Sequence, residues 1–173
     1  MTQLIVLRGL PGCGKTAIAK VLAPALHATL VSSDELRFGM FESPTYTKQE
    51  HQLVFDAFHV AVAEALMDHQ NVIADATHLR QTHLTPLKAI AESWDAEYHS
   101  FWVHTLKPVR LERLVARETS IEALRALVVA SASMERGIES WGSIAINGGG
   151  TILDAVKQIL VATGHHVLVQ DIP

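Results

Sequence analysis

The 173-residue sequence contains a single cysteine, Cys13, and lacks any long hydrophobic run. One thiol can form neither a disulfide within the chain nor a zinc site built from several cysteines. No apolar segment is long enough to span a bilayer, and no low-complexity tract or repeat is present. The N-terminal stretch MTQLIVLRGL has no basic leader region, so we interpret it as a buried strand and not as a signal peptide. We therefore expect a cytoplasmic protein without a membrane partner.

An excess of positive charge is also missing, because 14 Lys and Arg stand against 18 Asp and Glu, a net charge of -4. This balance does not supply the broad basic surface with which many proteins bind nucleic acid. A local basic groove is still compatible with it, because affinity depends on where the charges lie. The ten histidines lack the HExxH spacing of a metalloprotease, and we interpret them as scattered surface or strand residues.

Short apolar runs alternate with segments whose apolar residues recur at helical spacing. The predicted strands cover residues 3–9, 28–33, 71–77, 97–105 and 165–172. Continuous Val, Ile and Leu runs are typical of strands buried on both faces, as in a parallel sheet. Alternating strands and helices indicate right-handed βαβ units, and therefore a three-layer α/β fold whose ligands bind at the carboxyl ends of the strands. We find no domain boundary and predict one domain over residues 1–173.

Six helices are predicted from apolar spacing, caps and stop signals. They run from Lys15 to about Leu26, from Thr47 to His69, through Leu84 and Trp94, from about Pro108, from the capping box of Thr119 and Glu122, and from Thr151 to a stop at Gly164. The Asn-Gly-Gly-Gly stretch at residues 147–150 is predicted to be a loop.

The segment GLPGCGKT, residues 9–16, follows the first predicted strand and precedes the first predicted helix. Its Gly-x4-Gly-Lys-Thr spacing in that context is typical of a phosphate-binding P-loop. Gly12 and Gly14 allow backbone N–H groups to turn toward phosphate oxygens, and the helix N-terminus adds positive potential. Lys15 is predicted to reach the β- and γ-phosphates of ATP, and the Thr16 hydroxyl is predicted to hold Mg2+. The alternative, a glycine turn that binds nothing, does not explain the Lys-Thr pair or the flanking elements.

The residues predicted to bind the ATP phosphates are Gly9, Pro11, Gly12, Cys13, Gly14, Lys15 and Thr16. Cys13 allows two interpretations. Its thiol points away from the ligand and any small residue would serve, which we favour, or it is activated by Lys15 and the helix end.

The second predicted strand is followed by Ser-Ser-Asp-Glu-Leu-Arg, residues 32–37. A carboxylate in this position faces the γ-phosphate across the cleft, where a hydroxyl acceptor needs a base to take its proton. Asp34 is predicted to be that base. Arg37, three residues on, is predicted to bind an anionic group of the acceptor by a bidentate contact. The alternative is that Asp34 is an N-cap and Arg37 a solvated charge.

The third predicted strand ends in Asp75, and an aspartate that closes a buried apolar strand is typical of a Walker B site. It would support Mg2+ directly or through water and Thr16; the alternative is a cap for the following turn. Arg113 and Arg117 are four residues apart and therefore share one helix face. They are predicted to neutralise charge on the transferred phosphate, although Glu112 and Glu118 offer them ordinary surface partners.

Together, GLPGCGKT, SSDELR, VIADATHL and RLERLVARE resemble the P-loop kinases of the polynucleotide 5'-kinase and zeta-toxin-like type. The resemblance implies a five-stranded parallel sheet with a helical lid at about residues 108–140. It implies that Lys15 and Thr16 bind ATP–Mg2+, Asp34 is the general base, Arg37 binds an acceptor phosphate, Asp75 supports the metal or the acceptor, and Arg113 and Arg117 contact the ATP phosphates. By analogy, residues 147–150 would contact the adenine ring. The chain departs from this pattern at His78, where relatives often have Asn, and in lacking a basic insert after Arg117.

Three functions follow as hypotheses. The first is a polynucleotide 5'-kinase that acts on DNA or RNA ends in nucleic acid repair, with Phe38, Phe41 and Tyr46 as residues that either stack on a base or pack the loop. The second is a kinase for a small molecule or a nucleotide sugar. The third is a non-catalytic module that signals ATP occupancy to a partner.

Overall fold

The computed structural model describes residues 1–117 and 141–165, and every structural statement here concerns those ranges. Their strands are β1 (Gln3–Arg8), β2 (Thr29–Ser32), β3 (Val72–Asp75), β4 (Glu97–His104) and β5 (Ile144–Asn147). Their helices are α1 (Lys15–Ala25), α2 (Ser33–Met40), α3 (Lys48–Met67), α4 (Gln81–Ser93), α5 (Lys107–Arg117) and α6 (Ile152–Ala162). None of the helices in these ranges is long and apolar enough to cross a membrane.

The five strands form one sheet in the order β2-β3-β1-β4-β5, and every neighbouring pair is parallel. Strand β1 is central and buried along its whole length, as its continuous apolar run predicts. In the pairing register, Leu7 lies beside Asp75 and Ser32 lies on the other side of Asp75. The carboxyl ends of β1, β2 and β3 therefore meet at one edge, and the predicted α/β fold with a five-stranded parallel sheet is confirmed.

Alternate residues of the strands pack into two separate hydrophobic cores, one on each face of the sheet. Ile5 and Leu7 pack with α1 and α6, whereas Leu4 and Val6 pack with α3 and α4. Helices α1, α3, α4 and α6 each contribute several buried apolar residues at helical spacing, which stabilise them in the fold. This arrangement fixes the helix ends, and thus the loops that carry polar residues, at the carboxyl edge of the sheet.

Four of the predicted strands are confirmed, and the fifth strand of the sheet is not the predicted one. Strand β5 covers Ile144–Asn147, and the predicted strand at 165–172 lies almost wholly outside the described residues, as does the helix predicted from Thr119. Only Ile146 of β5 is buried, because β5 is an edge strand, and its apolar run of residues 144–146 is too short to predict a strand. Helix α2 was also not predicted, because its residues are mostly polar and exposed.

Candidate active site

Residues 9–16 connect β1 to α1 and form the predicted phosphate loop. Gly12 has φ 80° and Gly14 has φ 105°, left-handed conformations in which a side chain would be strained. The Lys15 ammonium donates to the carbonyl of Leu10 at 3.2 Å, so it lies across its own loop. The first turn of α1 has no acidic residue and no described side chain caps it, which leaves its positive potential available to an anion.

The loop packs closely against β4 and α5. A Cβ atom at Gly9 would lie 2.3 Å from the Val103 carbonyl oxygen, and one at Gly12 would lie 2.7 Å from that of Arg110. The Arg110 side chain, itself buried, donates to the carbonyl of Pro11 at 3.3 Å. The sequence analysis did not predict a role for Arg110. Its position three residues before Arg113, and therefore on the same side of a helix, could have indicated one.

The Cys13 side chain is 0% exposed and belongs to the core between the sheet, α1 and α6. Its backbone carbonyl accepts a hydrogen bond from the Thr105 hydroxyl at 3.0 Å. The thiol therefore lies in the protein interior, as the first interpretation of Cys13 expects, but it also accepts a contact from the Lys15 ammonium at 3.8 Å, as the second expects, so both interpretations stay predictions.

Asp75 and Thr16, 59 residues apart in sequence, meet at the end of β3. The Thr16 hydroxyl donates to the Asp75 carboxylate at 2.6 Å, and Asp75 is 3% exposed. Burial raises the pKa of Asp75, while the Lys15 charge and the Thr16 hydrogen bond lower it. The negative charges of Asp34 and Glu35, which follow the neighbouring strand β2, also raise it.

The donor set of Thr16 and Asp75 fits Mg2+, because Mg2+ prefers hydroxyl and carboxylate oxygens. No group of three or more His, Cys, Asp or Glu within the described ranges could hold a metal ion by itself. Magnesium sites of this kind take one or two protein oxygens and complete their shell with nucleotide phosphates and water. The residues present are therefore those of a site that would bind the metal together with a nucleotide.

The Arg37 side chain is 4% exposed and forms an ion pair with Glu50 at the start of α3. Its guanidinium also lies 4.8 Å from the centre of the Tyr46 ring and 3.4 Å from Nδ1 of His51. The structure thus gives Arg37 an internal carboxylate partner, in place of the free bidentate face that the sequence interpretation assumed. Its role as a ligand of the acceptor stays a prediction, and Asp34, in the first turn of α2, keeps an exposed side chain.

The Glu50 carboxylate binds both Arg37 and the loop that precedes α3. Its carboxylate accepts hydrogen bonds from the backbone N–H and hydroxyl of Thr45, at 2.6 and 2.8 Å, and from the N–H of Tyr46 at 3.0 Å. Burial alone would raise the pKa of Glu50, but the bonds from Thr45, Arg37 and Tyr46 lower it to about 2. Sequence reasoning missed Glu50, whose signal was the Thr47-x-x-Glu50 capping box at the start of α3.

Arg113 lies on the side of the P-loop opposite to these carboxylates. It donates to the carbonyl of Gly148 at 2.8 Å, and it lines a cavity of about 200 Å³ with Gly14, Thr151 and Ala155. The loop after β5, in which residues 147–150 were expected to contact adenine, therefore borders the same cavity as the P-loop. Arg117, at the last residue of α5, is exposed and is not among the residues that line this cavity.

A family profile described as an AAA domain matches residues 4–135, well over half of the chain. The chain belongs to the AAA domain family. No curated protein matches the sequence of this AAA-domain protein.

Solved structures resemble the AAA-domain protein over nearly its whole length. A sugar kinase from Janibacter sp. HTCC2649 is 15% identical with a TM-score of 0.70, and 95% of each chain is covered. The APS kinase of Mycobacterium tuberculosis is 14% identical with a TM-score of 0.70, covering 94% of this chain and 98% of that one. A gluconokinase from Sinorhizobium meliloti 1021 is 18% identical with a TM-score of 0.69, covering 94% and 91%. The protein therefore has the fold of P-loop kinases, and the narrower resemblance to polynucleotide 5'-kinases is not supported by these matches.

Proposed function

We propose that this AAA-domain protein is an ATP-dependent kinase that transfers the γ-phosphate to a hydroxyl group of a small molecule. The observation that carries the proposal is the hydrogen bond between Thr16 of the P-loop and Asp75 at the end of β3. It joins a phosphate-binding loop to a carboxylate at the edge of the sheet where parallel α/β folds bind ligands. Asp34, exposed in the first turn of α2 after the neighbouring strand β2, would supply the base on the acceptor side.

Each residue has a defined task in this proposal. The backbone of residues 9–14 and the Lys15 ammonium bind the nucleotide phosphates, and Thr16 with Asp75 would hold Mg2+, which neutralises phosphate charge when bound. Asp34 takes the proton of the acceptor hydroxyl. The acceptor oxygen then forms a bond to the γ-phosphorus while the bond from that phosphorus to the oxygen of the ADP leaving group breaks.

A small-molecule acceptor agrees with several features better than a nucleic-acid end does. The net charge is -4, and the arginine predicted to bind an acceptor phosphate is paired with Glu50. The structural relatives include a sugar kinase, an APS kinase and a gluconokinase, and the APS kinase structure is a complex with AMPPNP and APS. Polynucleotide 5'-kinase activity is the second candidate, favoured by the exposed aromatic residues Phe38, on α2, and Tyr46, whose ring lies on Arg37.

Transfer of label from γ-labelled ATP with Mg2+ tests the proposal. The acceptor panel contains neutral sugars and polyols, sugar acids, sugar phosphates, nucleosides, and 5'-OH DNA and RNA oligonucleotides. We expect label on a small molecule. Label on oligonucleotides alone would support polynucleotide 5'-kinase activity, and ATP binding without transfer to any acceptor would support a non-catalytic module.

The two predicted lid arginines should differ in their effect. Because Arg113 borders the P-loop cavity and contacts Gly148, we expect Arg113→Ala to lower kcat by about 10-fold or more, as loss of a charge contact to the transition state does. Arg117→Ala is the matched control on the same helix face, and we expect a smaller effect from this exposed position. Steady-state kinetics of both variants with ATP measure this. Wild-type kinetics for Arg113→Ala would remove Arg113 from the site.

A further inference from the structure

Arg8 is a charged residue at the carboxyl end of the central strand β1, and its side chain is 0% exposed. Residues two apart on a strand share a face, so Arg8 lies on the same face as Leu4 and Val6, which pack into an apolar core. Burial lowers the pKa of Arg8, while Tyr98 raises it. Taking a guanidinium out of water costs free energy that an apolar residue would not cost. A buried arginine at this position therefore indicates a specific task for its N–H groups.

The Arg8 guanidinium joins two loops at the carboxyl edge of the sheet. Its Nε donates to the carbonyl oxygen of His78, in the loop after β3, at 3.1 Å. Its Nη1 donates at 3.2 Å to the hydroxyl of Ser143, just before β5, and that hydroxyl lies 2.8 Å from the one of Ser100. The guanidinium also lies over the Trp141 ring, 4.4 Å from its centre. Because the donors of arginine form a rigid planar fork, one side chain can hold both loops at once.

Residues 75–78 carry the chain from the end of β3 out of the sheet, past the end of β1. The N–H of Gly9 donates to the carbonyl of Thr77 at 3.1 Å, so the first residue of the P-loop contacts this segment. The bond from Arg8 to the carbonyl of His78 adds a contact one residue further along. The two donors are adjacent in sequence, and together they fix the course of residues 75–78 relative to both β1 and the P-loop.

The backbone of His78 is the strained part of this segment. It has φ 40°, a left-handed conformation that is uncommon for a residue with a side chain. The ring is 0% exposed and its centre lies 5.7 Å from that of Phe55 and 5.4 Å from that of Phe58. Neither ring nitrogen has a hydrogen-bond partner within the described ranges, so the ring is held by packing alone. The hydrogen bond from Arg8 to the carbonyl therefore supplies directional hold at this residue.

Asp75 begins the segment that Arg8 holds. Its carboxylate accepts the hydrogen bond from the Thr16 hydroxyl at 2.6 Å, and these two oxygens are the protein donors that fit Mg2+. A shift of residues 75–78 away from β1 would turn the carboxylate away from Thr16. Groups that orient metal ligands from outside commonly change metal affinity or activity by about 10- to 100-fold when they are removed.

We propose that Arg8 is a positioning residue of the nucleotide–Mg2+ site: by holding the carbonyl of His78, it keeps the Asp75 carboxylate aligned with the hydroxyl of Thr16. Arg8 acts through residues 75–78 and not by contact with the reacting atoms. Its buried charge is retained at a cost in stability because an apolar residue could not hold the segment. This inference rests on the proposed function, because it concerns the Mg2+ site of that function.

Arg8→Met and Arg8→Lys test the contact. Methionine suits the apolar face of β1 and carries no donor, so it releases the His78 carbonyl. Lysine keeps the charge but lacks the planar fork, so it can bond to His78 or to Ser143 and not to both in the same geometry. We expect Arg8→Met to raise the Mg2+ concentration that gives half of the maximal gain in AMPPNP affinity by about 10-fold or more. Arg8→Lys should fall between Arg8→Met and the wild type.

Gln3→Met is the matched control, because Gln3 is a buried polar residue at the other end of the same strand. Its side-chain amide donates to Glu97 at 3.0 Å and to the carbonyl of Thr163 at 3.1 Å, so the substitution also removes two hydrogen bonds. These contacts lie at the amino end of β1, away from the P-loop. We expect Gln3→Met to lower the thermal midpoint and to keep the Mg2+ requirement of the wild type.

Calorimetric titration with AMPPNP at a series of Mg2+ concentrations, and without Mg2+, measures the requirement directly. We expect the affinity without Mg2+ to stay close to wild type in all variants, because the P-loop backbone and Lys15 are unchanged. A wild-type requirement in Arg8→Met overturns the inference, as do an equal rise in Gln3→Met, an equal loss of affinity with and without Mg2+, or a wild-type protein that shows no gain with Mg2+. If Arg8→Met does not fold, a wild-type requirement in Arg8→Lys overturns it.

The titrations need no acceptor, so they are independent of the transfer assay. A raised Mg2+ requirement in Arg8→Met, without label transfer from ATP to any acceptor by the wild type, supports the role of Arg8 and overturns the proposed kinase activity. Label transfer together with an unchanged requirement in Arg8→Met overturns the role of Arg8 and leaves the kinase activity supported.

Discussion

Asp34→Asn is expected to lower kcat for phosphate transfer by about 10²- to 10⁴-fold, the usual contribution of a general base. The asparagine side chain has nearly the same shape as aspartate but cannot take the proton of the acceptor hydroxyl. Because Asp34 is in the first turn of α2 and exposed, its replacement disturbs no buried contact, and we expect the affinity for ATP and the thermal midpoint to stay close to wild type. Steady-state kinetics and calorimetric titration with AMPPNP measure the two quantities separately.

Glu35→Gln is the control for the loss of charge. Glu35 is the next residue of α2, is also exposed, and its charge also acts on Asp75. If the effect of Asp34→Asn were a general change in the electrostatics of Asp75, the two variants would lose similar amounts of activity. We expect Glu35→Gln to retain kcat within about threefold, as surface changes away from the chemistry usually do. Equal losses in both variants would argue against Asp34 as the base.

Local signals in the sequence were sufficient to predict the loop between β1 and α1 and its contact with Asp75. The P-loop is a contiguous segment whose glycine spacing, flanking strand and following helix are all visible in residues 3–26. The meeting of Thr16 and Asp75 also followed, because the strands before them are parallel neighbours and their carboxyl ends share an edge. Strands β1 and β3 are buried at every residue, and their apolar runs were sufficient to predict them.

The acceptor side could not be derived in the same way, because its residues come from separate elements. Arg37 looks like a surface charge in the short polar sequence of α2, and only the packing of α2 against α3 brings Glu50 to it. The histidines whose rings contact Phe55 are divided between α3, the loop after β3 and α4, so the sequence suggested scattered rings. These ring contacts are a property of the folded chain alone.

Gly148→Ala is the change we expect to damage the framework of the donor site most. A Cβ atom there would lie 2.0 Å from the carbonyl oxygen of Cys13 and 2.7 Å from a methyl group of Val103. The Cys13 carbonyl is P-loop backbone that also accepts the Thr105 hydroxyl, so it cannot rotate away as a flexible side chain could. Either the P-loop or the loop after β5 must move, and overpacking of this kind costs about 1–3 kcal/mol.

We expect this cost to lower the thermal midpoint by about 2–12 °C, given the unfolding entropy of a domain of this size. The same displacement would pull the Gly148 carbonyl from Arg113 and deform the cavity beside the P-loop, so ATP–Mg2+ should stabilise the variant less than it stabilises the wild type. Thermal unfolding with and without ATP–Mg2+ gives both numbers.

Gly150→Ala, in the same loop, is the control that distinguishes the effect of close packing on stability from the effect of reduced backbone entropy in the unfolded chain. The nearest atoms to a Cβ at Gly150 lie 3.8 Å away, an ordinary contact distance, and both alanines restrict the unfolded chain equally. We therefore expect Gly150→Ala to stay within about 0.5 kcal/mol of wild type. Similar midpoints for the two variants would mean that the close approach of Gly148 to Cys13 is not a constraint in solution. A loss confined to Gly148→Ala would establish that the loop after β5 supports the P-loop directly, and that the two segments form one nucleotide site.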